Sequence, residues 1–157
     1  MNHERFNHSS IVIAGYLYVM GGCKDGLIGS IECYRIGSSF PWTVIVESSE
    51  LVKRQYSAMT AISSNRIAVY GGYYAQAFGY VFDTEKQEVR PILGRDGDLY
   101  FETLTHTQWI GGNRYVTIGQ DNNSYYHMVQ LKWESERYSE VRSVHSYGHL
   151  YLTEEQD

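Results

Sequence analysis

Short apolar runs alternate with turns along the chain, and one such unit recurs three times. Each clear copy is an apolar run that ends at a glycine: Gly15–Met20 before Gly21, Asn65–Tyr70 before Gly71, and Asn113–Ile118 before Gly119. The three glycines lie 50 and 48 positions apart. A turn, an apolar run and a glycine at a period near 50 residues predict repeated sheets in an all-β fold.

Each repeat divides into four short strands, and no helix start signal is followed by helical periodicity. The first strands, each closed by a tight turn, are predicted at His8–Ala14, Ser57–Ser63 and Glu102–Ile110. The second strands are the apolar runs, whose lack of alternation indicates burial on both faces. The third strands are predicted at Ser30–Ile36, Gly79–Asp83 and Tyr126–Lys132, and the fourth at Trp42–Val46, Glu88–Ile92 and Tyr138–Val141.

The period divides the chain into structural units at predictable boundaries. Residues 1–50 and 51–98 form the first two repeats, and 99–144 form a third that departs from them. Residues 145–157 are expected to be a tail or the start of a further repeat.

Composition narrows the class of protein. A hydrophobic fraction of 43% with 20% charged residues is typical of a globular domain. The net charge of −5, without a stripe of lysine and arginine, argues against nucleic acid as a partner. The first residues contain no apolar signal core and no stretch approaches a membrane span, so we expect a cytoplasmic protein without a membrane partner. Cys23 and Cys33 are expected to be reduced thiols, with a disulfide between them left open.

The chain resembles kelch repeats over nearly its whole length, from about residue 4 to residue 143. The residues that carry the resemblance are Arg5-x-x-His8-Ser9, Arg54-Gln55-Tyr56-Ser57, Gly21-Gly22, Gly71-Gly72, and Tyr34 eight residues before Trp42. The third repeat departs from the pattern, because Gly119-Gln120 replaces the glycine pair and Tyr138 lies near the position of the tryptophan. The second repeat also lacks the tryptophan.

The resemblance implies a kelch-type β-propeller, here a partial one of about three four-stranded blades. Closed propellers carry four to eight blades, so we expect closure by further blades, a second chain or a partner. Without closure, the terminal sheets are expected to leave apolar residues uncovered, among them Val12, Val19, Val116 and Ile118.

The glycines and Trp42 are expected to be structural. Backbone must pass close to backbone near the channel of a propeller, and a Cβ there would obstruct it. This interpretation covers the glycines that end the second strands: Gly21, Gly22, Gly71, Gly72 and Gly119.

The loops that follow the glycines are the candidate binding face. In kelch proteins these loops open on a face that commonly contacts partners, and tyrosine is a favoured interface residue. The candidate contacts are Arg5, Lys24, Arg54, Tyr73, Tyr74, Asp121, Asn122 and Tyr125. The alternatives are that the tyrosines pack between blades and that the arginines bond backbone between blades.

No catalytic motif accompanies the repeats. The sequence has no Gly-x-Ser-x-Gly, no His-Glu-x-x-His and no phosphate-binding loop, so we expect no enzyme activity, metal or cofactor. The kelch resemblance implies a scaffold that binds a protein or peptide, as part of a ubiquitin-ligase substrate receptor or of the cytoskeleton. The alternative is part of a kelch-scaffold enzyme, such as a copper oxidase, a sugar mutarotase or an iron-assisted specifier protein.

Overall fold

The computed structural model describes residues 1–74, 79–92, 103–111, 114–120, 126–134 and 137–147. These residues form twelve strands in three four-stranded antiparallel sheets, each with its strands in chain order. The predicted all-β fold of about three four-stranded antiparallel sheets is confirmed.

The first two sheets follow the predicted division closely. The first sheet contains β1 (Ser9–Ile13), β2 (Tyr16–Met20), β3 (Ile31–Arg35) and β4 (Thr43–Val46). The second contains β5 (Ala58–Ala61), β6 (Arg66–Tyr70), β7 (Gly79–Asp83) and β8 (Glu88–Ile92). The third contains β9 (Thr103–Gly111), β10 (Arg114–Gln120), β11 (Tyr126–Glu134) and β12 (Arg137–Tyr147).

The first hairpin shows why the chain turns where it does. Ala14 and Gly15 have φ angles of 50° and 79°, which are the two left-handed residues that a two-residue hairpin requires. The turn sets the register in which Ser9 lies opposite Met20. The first strand of each sheet also contacts the first strand of the next, β1 with β5 and β5 with β9. The three sheets therefore follow one another as propeller blades do.

The main core lies between the first and second sheets. Side chains from β2 and β3 meet side chains from β6 and β7 across the interface, and the ring centroids of Tyr18 and Phe82 are 5.9 Å apart in an edge-to-face arrangement. The Tyr80 hydroxyl donates to Met20 Sδ at 3.6 Å. Fully burying one such side chain contributes about 1.5–3 kcal/mol, so this interface is the chief source of stability for the two sheets.

The third sheet departs from the predicted strand pattern at its glycine. In the first two sheets the second strand ends before the glycine pair, whereas β10 continues through Gly119 to Gln120. Gly119 is buried and pairs with His127 of β11, and the register with β9 shifts between Ile118 and Gly119. Gly119 therefore lies within a strand and does not end one. Gln120, at the position of the second glycine in the other repeats, is the last residue of this strand.

The last strand is longer than the sequence suggested. Its predicted end was Val141, but β12 continues to Tyr147 and pairs with β11 along that length. Its last three residues, which were assigned to a tail or to a further repeat, belong to the third sheet.

The expectation of an uncovered apolar face at the first sheet is only partly correct. Val12 is 58% exposed, but Val19 on the same face is 2% exposed. Val19 pairs across the sheet with Glu32, whose carboxylate is covered by residues 2–5. In the third sheet Val116 and Ile118 are half-buried. The prediction for Val19 is therefore wrong, because the N-terminal residues were not expected to cross this face.

We expect Val19→Ala to lower the free energy of unfolding by about 1–2 kcal/mol, because it removes buried methyl groups. Val12→Ala makes the same chemical change at an exposed position and should alter stability by less than about 0.5 kcal/mol. Urea unfolding of the two variants measures both values. Equal effects would show that this face is uniformly open or uniformly covered.

Candidate binding face

One edge of the first two sheets is formed by the ends of their strands and not by an outer strand. This edge brings together the segments that enter β1 and β5 and the loops that leave β2 and β6. This follows from the antiparallel hairpins, in which the first strand begins beside the end of the second. We call this edge the glycine-pair face. It carries residues 6–7 and 21–24 of the first repeat and residues 55–56 and 71–74 of the second.

The two glycines of the first pair make different contacts. Gly21 and Gly22 have φ angles of 64° and 87°, in the left-handed region. A Cβ on Gly21 would lie 2.6 Å from the Arg54 carbonyl oxygen in the next repeat, whereas a Cβ on Gly22 would lie 2.7 Å from the Phe6 carbonyl oxygen in the same repeat. The lack of a Cβ at Gly21 thus lets the next blade approach closely. Its lack at Gly22 lets the entry segment of the same blade approach. The predicted steric role of the pair agrees with this geometry.

Beyond each glycine pair, one loop residue is bonded to the entry segment of its own sheet. The backbones of Phe6 and Cys23 exchange two hydrogen bonds, both of 3.0 Å. Gln55 and Tyr73 make the same exchange in the second repeat, at 2.8 and 3.4 Å. This repeated bridge fixes the start of each loop beside the entry segment.

Polar contacts also join the two repeats across the glycine-pair face. The backbone N–H of Tyr56 donates to the carbonyl oxygen of Asn7 at 3.0 Å. Gln55 Oε1 accepts from Asn7 Nδ2 at 3.3 Å and from Cys23 Sγ at 2.9 Å. Because these bonds cross between blades, the two entry segments are held as one surface.

Four aromatic side chains decorate this surface. Phe6, Tyr56 and Tyr74 are 54%, 47% and 60% exposed. The Tyr73 ring packs edge-to-face on that of Tyr74, with centroids 4.1 Å apart. Tyr56 and Tyr74 have left-handed φ angles of 58° and 63°, which are uncommon for aromatic residues. Tyrosine is enriched among the residues that dominate binding energy at interfaces, which makes this face the candidate site.

The structure places the predicted Tyr73, Tyr74 and Lys24 on this face. Lys24 forms an exposed ion pair with Glu4, a contact of small energetic value. Phe6 and Tyr56 were not predicted as contacts. Their signal in the sequence was their place in the two entry segments, close to the start of each repeat.

The structure corrects the prediction that Arg5 and Arg54 line the binding face. Both are buried, and they bond backbone, which was the stated alternative. Arg5 Nη1 donates to the Gly21 carbonyl oxygen at 2.9 Å, and Arg54 Nη1 donates to that of Gly71 at 2.8 Å. Carbonyl groups at the glycine pairs need donors when they are buried, and the guanidinium groups supply them.

The two arginines differ in the group that faces them. Arg5 forms a fully buried ion pair with Glu32, at 2.5 Å. In the second repeat Tyr80 occupies the register position of Glu32, opposite Val69, and the Arg54 guanidinium lies 5.0 Å from the centre of its ring. Burial raises the pKa of Tyr80, so the ring faces the cation as a neutral group.

Three predicted contacts, Asp121, Asn122 and Tyr125, lie outside the described residues. Trp42, predicted to be structural, is among the described residues. Its ring centroid is 5.4 Å from that of Tyr34. The pair joins the third strand of the first sheet to the residue that precedes the fourth.

One cluster near the first sheet has the residue types of a nucleophilic triad. Ser30, His3 and Glu32 approach one another, with Ser30 Oγ and Glu32 Oε1 at 3.4 and 3.3 Å from His3 Nδ1. A proton relay needs the serine and the carboxylate on different ring nitrogens, whereas here both meet the same one. This arrangement cannot activate Ser30.

The described residues offer no metal centre and no disulfide. They contain no group of three histidine, cysteine, aspartate or glutamate side chains placed to hold a metal ion. Cys23 and Cys33 are free thiols, so the disulfide left open by the sequence is not formed. Burial raises the pKa of the Cys33 thiol, which lowers its reactivity. In the same part of the chain, no helix has the length and apolarity needed to cross a membrane.

Comparison with known proteins agrees with the blade geometry. The model of the kelch motif matches residues 4–37, which include the first three strands of the first sheet. A solved structure titled "Structure of YjhT", a kelch-type propeller, superposes with a TM-score of 0.70 at 13% identity. The alignment covers 89% of this chain and 52% of that one, so this chain spans about half the length of its structural neighbour. No curated protein matches significantly. The structural likeness shows the propeller fold that the sequence predicts, and the motif match at residues 4–37 supports the predicted kelch resemblance.

Proposed function

We propose that this chain is a non-catalytic interaction module that binds a protein or peptide through the glycine-pair face. The proposal rests on the exposed side chains of Phe6, Tyr56 and Tyr74 and on the half-buried Tyr73 ring, which packs on that of Tyr74. Aromatic side chains bring large contact area at low cost in conformational entropy, and they dominate the energetics of many interfaces.

Rigidity of the surface supports the same proposal. The backbone bridges at Cys23 and Tyr73 and the bond from Tyr56 to Asn7 hold the aromatic residues before a partner arrives. A preorganised surface loses less entropy on binding, so more of the contact energy appears as affinity. Recognition of a ligase substrate and attachment to the cytoskeleton would both use such a surface.

The opposite edge of the first sheet supplies a matched comparison. Phe40 lies in the connection between β3 and β4, on the edge away from the glycine pairs, and it is 75% exposed. Ile36 begins the same connection and is also exposed. These two side chains are apolar and accessible but lie at the wrong edge for the proposed site.

The test is selection of peptides from a random display library against the purified chain, followed by affinity measurements on variants. We expect Tyr74→Ala to weaken the selected peptides by about 2 kcal/mol, or roughly thirtyfold in Kd. Tyr56→Ala should also weaken them, whereas Phe40→Ala should leave Kd within about twofold. Circular dichroism checks that each variant is folded.

Loss of affinity in Phe40→Ala, with none in Tyr74→Ala and Tyr56→Ala, would place the site on the opposite edge. Failure to select any peptide would reject the peptide-binding proposal.

A further inference from the structure

Residues 2–5 cross the outer face of the first sheet and converge on a single carboxylate. We call this segment the N-terminal strap. The fully buried Glu32 side chain accepts from the backbone N–H groups of Asn2 and His3 at 2.5 and 3.1 Å. It also accepts from Arg5 Nη2 at 2.5 Å, and His3 Nδ1 lies 3.3 Å away. One acidic group therefore holds three of the four residues in the strap.

The equivalent segment of the second repeat is held differently. Residues 51–54 lie between the first and second sheets, where Val52 is fully buried in the apolar core. Their partner at the position of Glu32 is the neutral ring of Tyr80. Apolar packing of Val52 and the hydrogen bonds of Arg54 to backbone therefore fix residues 51–54, whereas a buried carboxylate holds the strap.

We propose that the strap is an acid-releasable cover on the first sheet, held in place by the ionised Glu32 carboxylate. Protonation of this carboxylate removes the negative charge that pairs with Arg5. The added proton also occupies a carboxylate oxygen that, in the ionised form, accepts hydrogen bonds from backbone N–H groups. Release uncovers Val19, the counterpart of the core residue Val69, and so exposes a face of the kind that packs against another blade.

The surroundings of Glu32 set the direction of the pH dependence. Burial by itself raises the pKa of the carboxyl, but the N–H groups of Asn2 and His3 and the charge of Arg5 outweigh it and lower the pKa. The strap is therefore held in place at pH values above the ordinary titration range of a glutamate, and it is released as the pH falls below that range.

The remaining neighbours of Glu32 do not reverse this direction. Val19 of β2 and Val44 of β4 lie beside it in the sheet and carry no charge. The strap is therefore expected to loosen as the pH falls and not as it rises.

Trypsin provides a test on the full 157-residue chain, because the strap ends at an arginine with a buried side chain. Glu32→Gln removes the charge while keeping the shape, and it can be assayed at neutral pH. We expect cleavage after Arg5, followed by mass spectrometry of the released peptide, to be at least about tenfold faster than in the wild type. Glu47→Gln, at an exposed glutamate, should leave the rate unchanged.

Cleavage after Arg54 separates local release from unfolding. Arg54 is buried between the two sheets. The rate of tryptic cleavage after Arg54 should therefore be the same in Glu32→Gln as in the wild type if only the strap moves. Equal acceleration at both arginines would mean that the sheets unfold together and would overturn the proposal. An unchanged rate after Arg5 would overturn it as well.

NMR titration of the wild type tests the acid dependence directly. The amide resonance of His3 should shift as pH falls below the normal glutamate range, whereas the amide of Gly22, bonded to the Arg54 carbonyl oxygen at 2.8 Å, should not. Simultaneous shifts of both amides, or no shift of His3 down to the acid unfolding of the chain, would contradict the acid-releasable strap.

Discussion

Gly21→Ala should lower the free energy of unfolding by about 2–5 kcal/mol. A left-handed backbone costs an L-residue about 1–2 kcal/mol, and overpacking typically costs a further 1–3 kcal/mol. Both apply at Gly21, where φ is 64° and the new Cβ would lie 2.6 Å from the Arg54 carbonyl oxygen. Because that atom belongs to backbone in the next repeat, relief requires the two blades to separate. Thermal and urea unfolding measure the loss.

Gly15→Ala is the matched control for this prediction. Gly15 also has a left-handed backbone, with φ of 79°, but a Cβ there would meet nothing within 4 Å. Its substitution should cost only the conformational strain, about 1–2 kcal/mol. If the two variants lost equal stability, close approach between blades would not be the reason for the glycine pair.

Arg54→Met should cost about 3 kcal/mol or more. The substitution removes the donors that serve the carbonyl oxygens of Gly71 and Leu51, at 2.8 and 3.0 Å, and it removes the cation over the Tyr80 ring. Leaving a buried acceptor without its donor costs about 1–3 kcal/mol for each group. Methionine keeps much of the side-chain volume, so the loss reports mainly on the polar contacts. Urea unfolding provides the measurement.

Arg90→Met makes the same chemical change on an exposed strand. Arg90 pairs with Glu88 at 2.7 Å, and both side chains are more than half exposed. Exposed pairs contribute about 0–1 kcal/mol, so this variant should remain close to the wild type. A comparable loss from both arginines would indicate that Arg54 acts only as a surface charge.

The strands were largely predictable because each repeat carries its own local signals. The predicted bounds of β7 and β8 agree with the structure, those of β3 differ by one residue at each end, and that of β4 differs by one residue at its start. These strands are short and are bounded by turn residues. The third sheet was harder, since strand pairing there extends through Gly119 and on to Tyr147. Pairing with a neighbouring strand decides such lengths, and the neighbour is remote in sequence.

The candidate site was predicted less completely. The loop position of Tyr73 and Tyr74 followed from the glycine pair, which places them at one edge of the second sheet. The burial of Arg5 and Arg54 could not be read from residue type, because arginine is usually exposed. It depends on carbonyl groups that become buried only when the blades pack. The exposure of Phe6 likewise depends on the bridge to Cys23.

The most direct test of the account is hydrogen–deuterium exchange of the chain with and without a peptide selected from the display library. The proposal expects protection of segments 6–7, 23–24, 55–56 and 73–74, all on the glycine-pair face, and no change in segment 36–40 at the opposite edge. Protection confined to residues 36–40, with exchange at the glycine-pair face unaltered, would contradict the central claim that this face is the binding site.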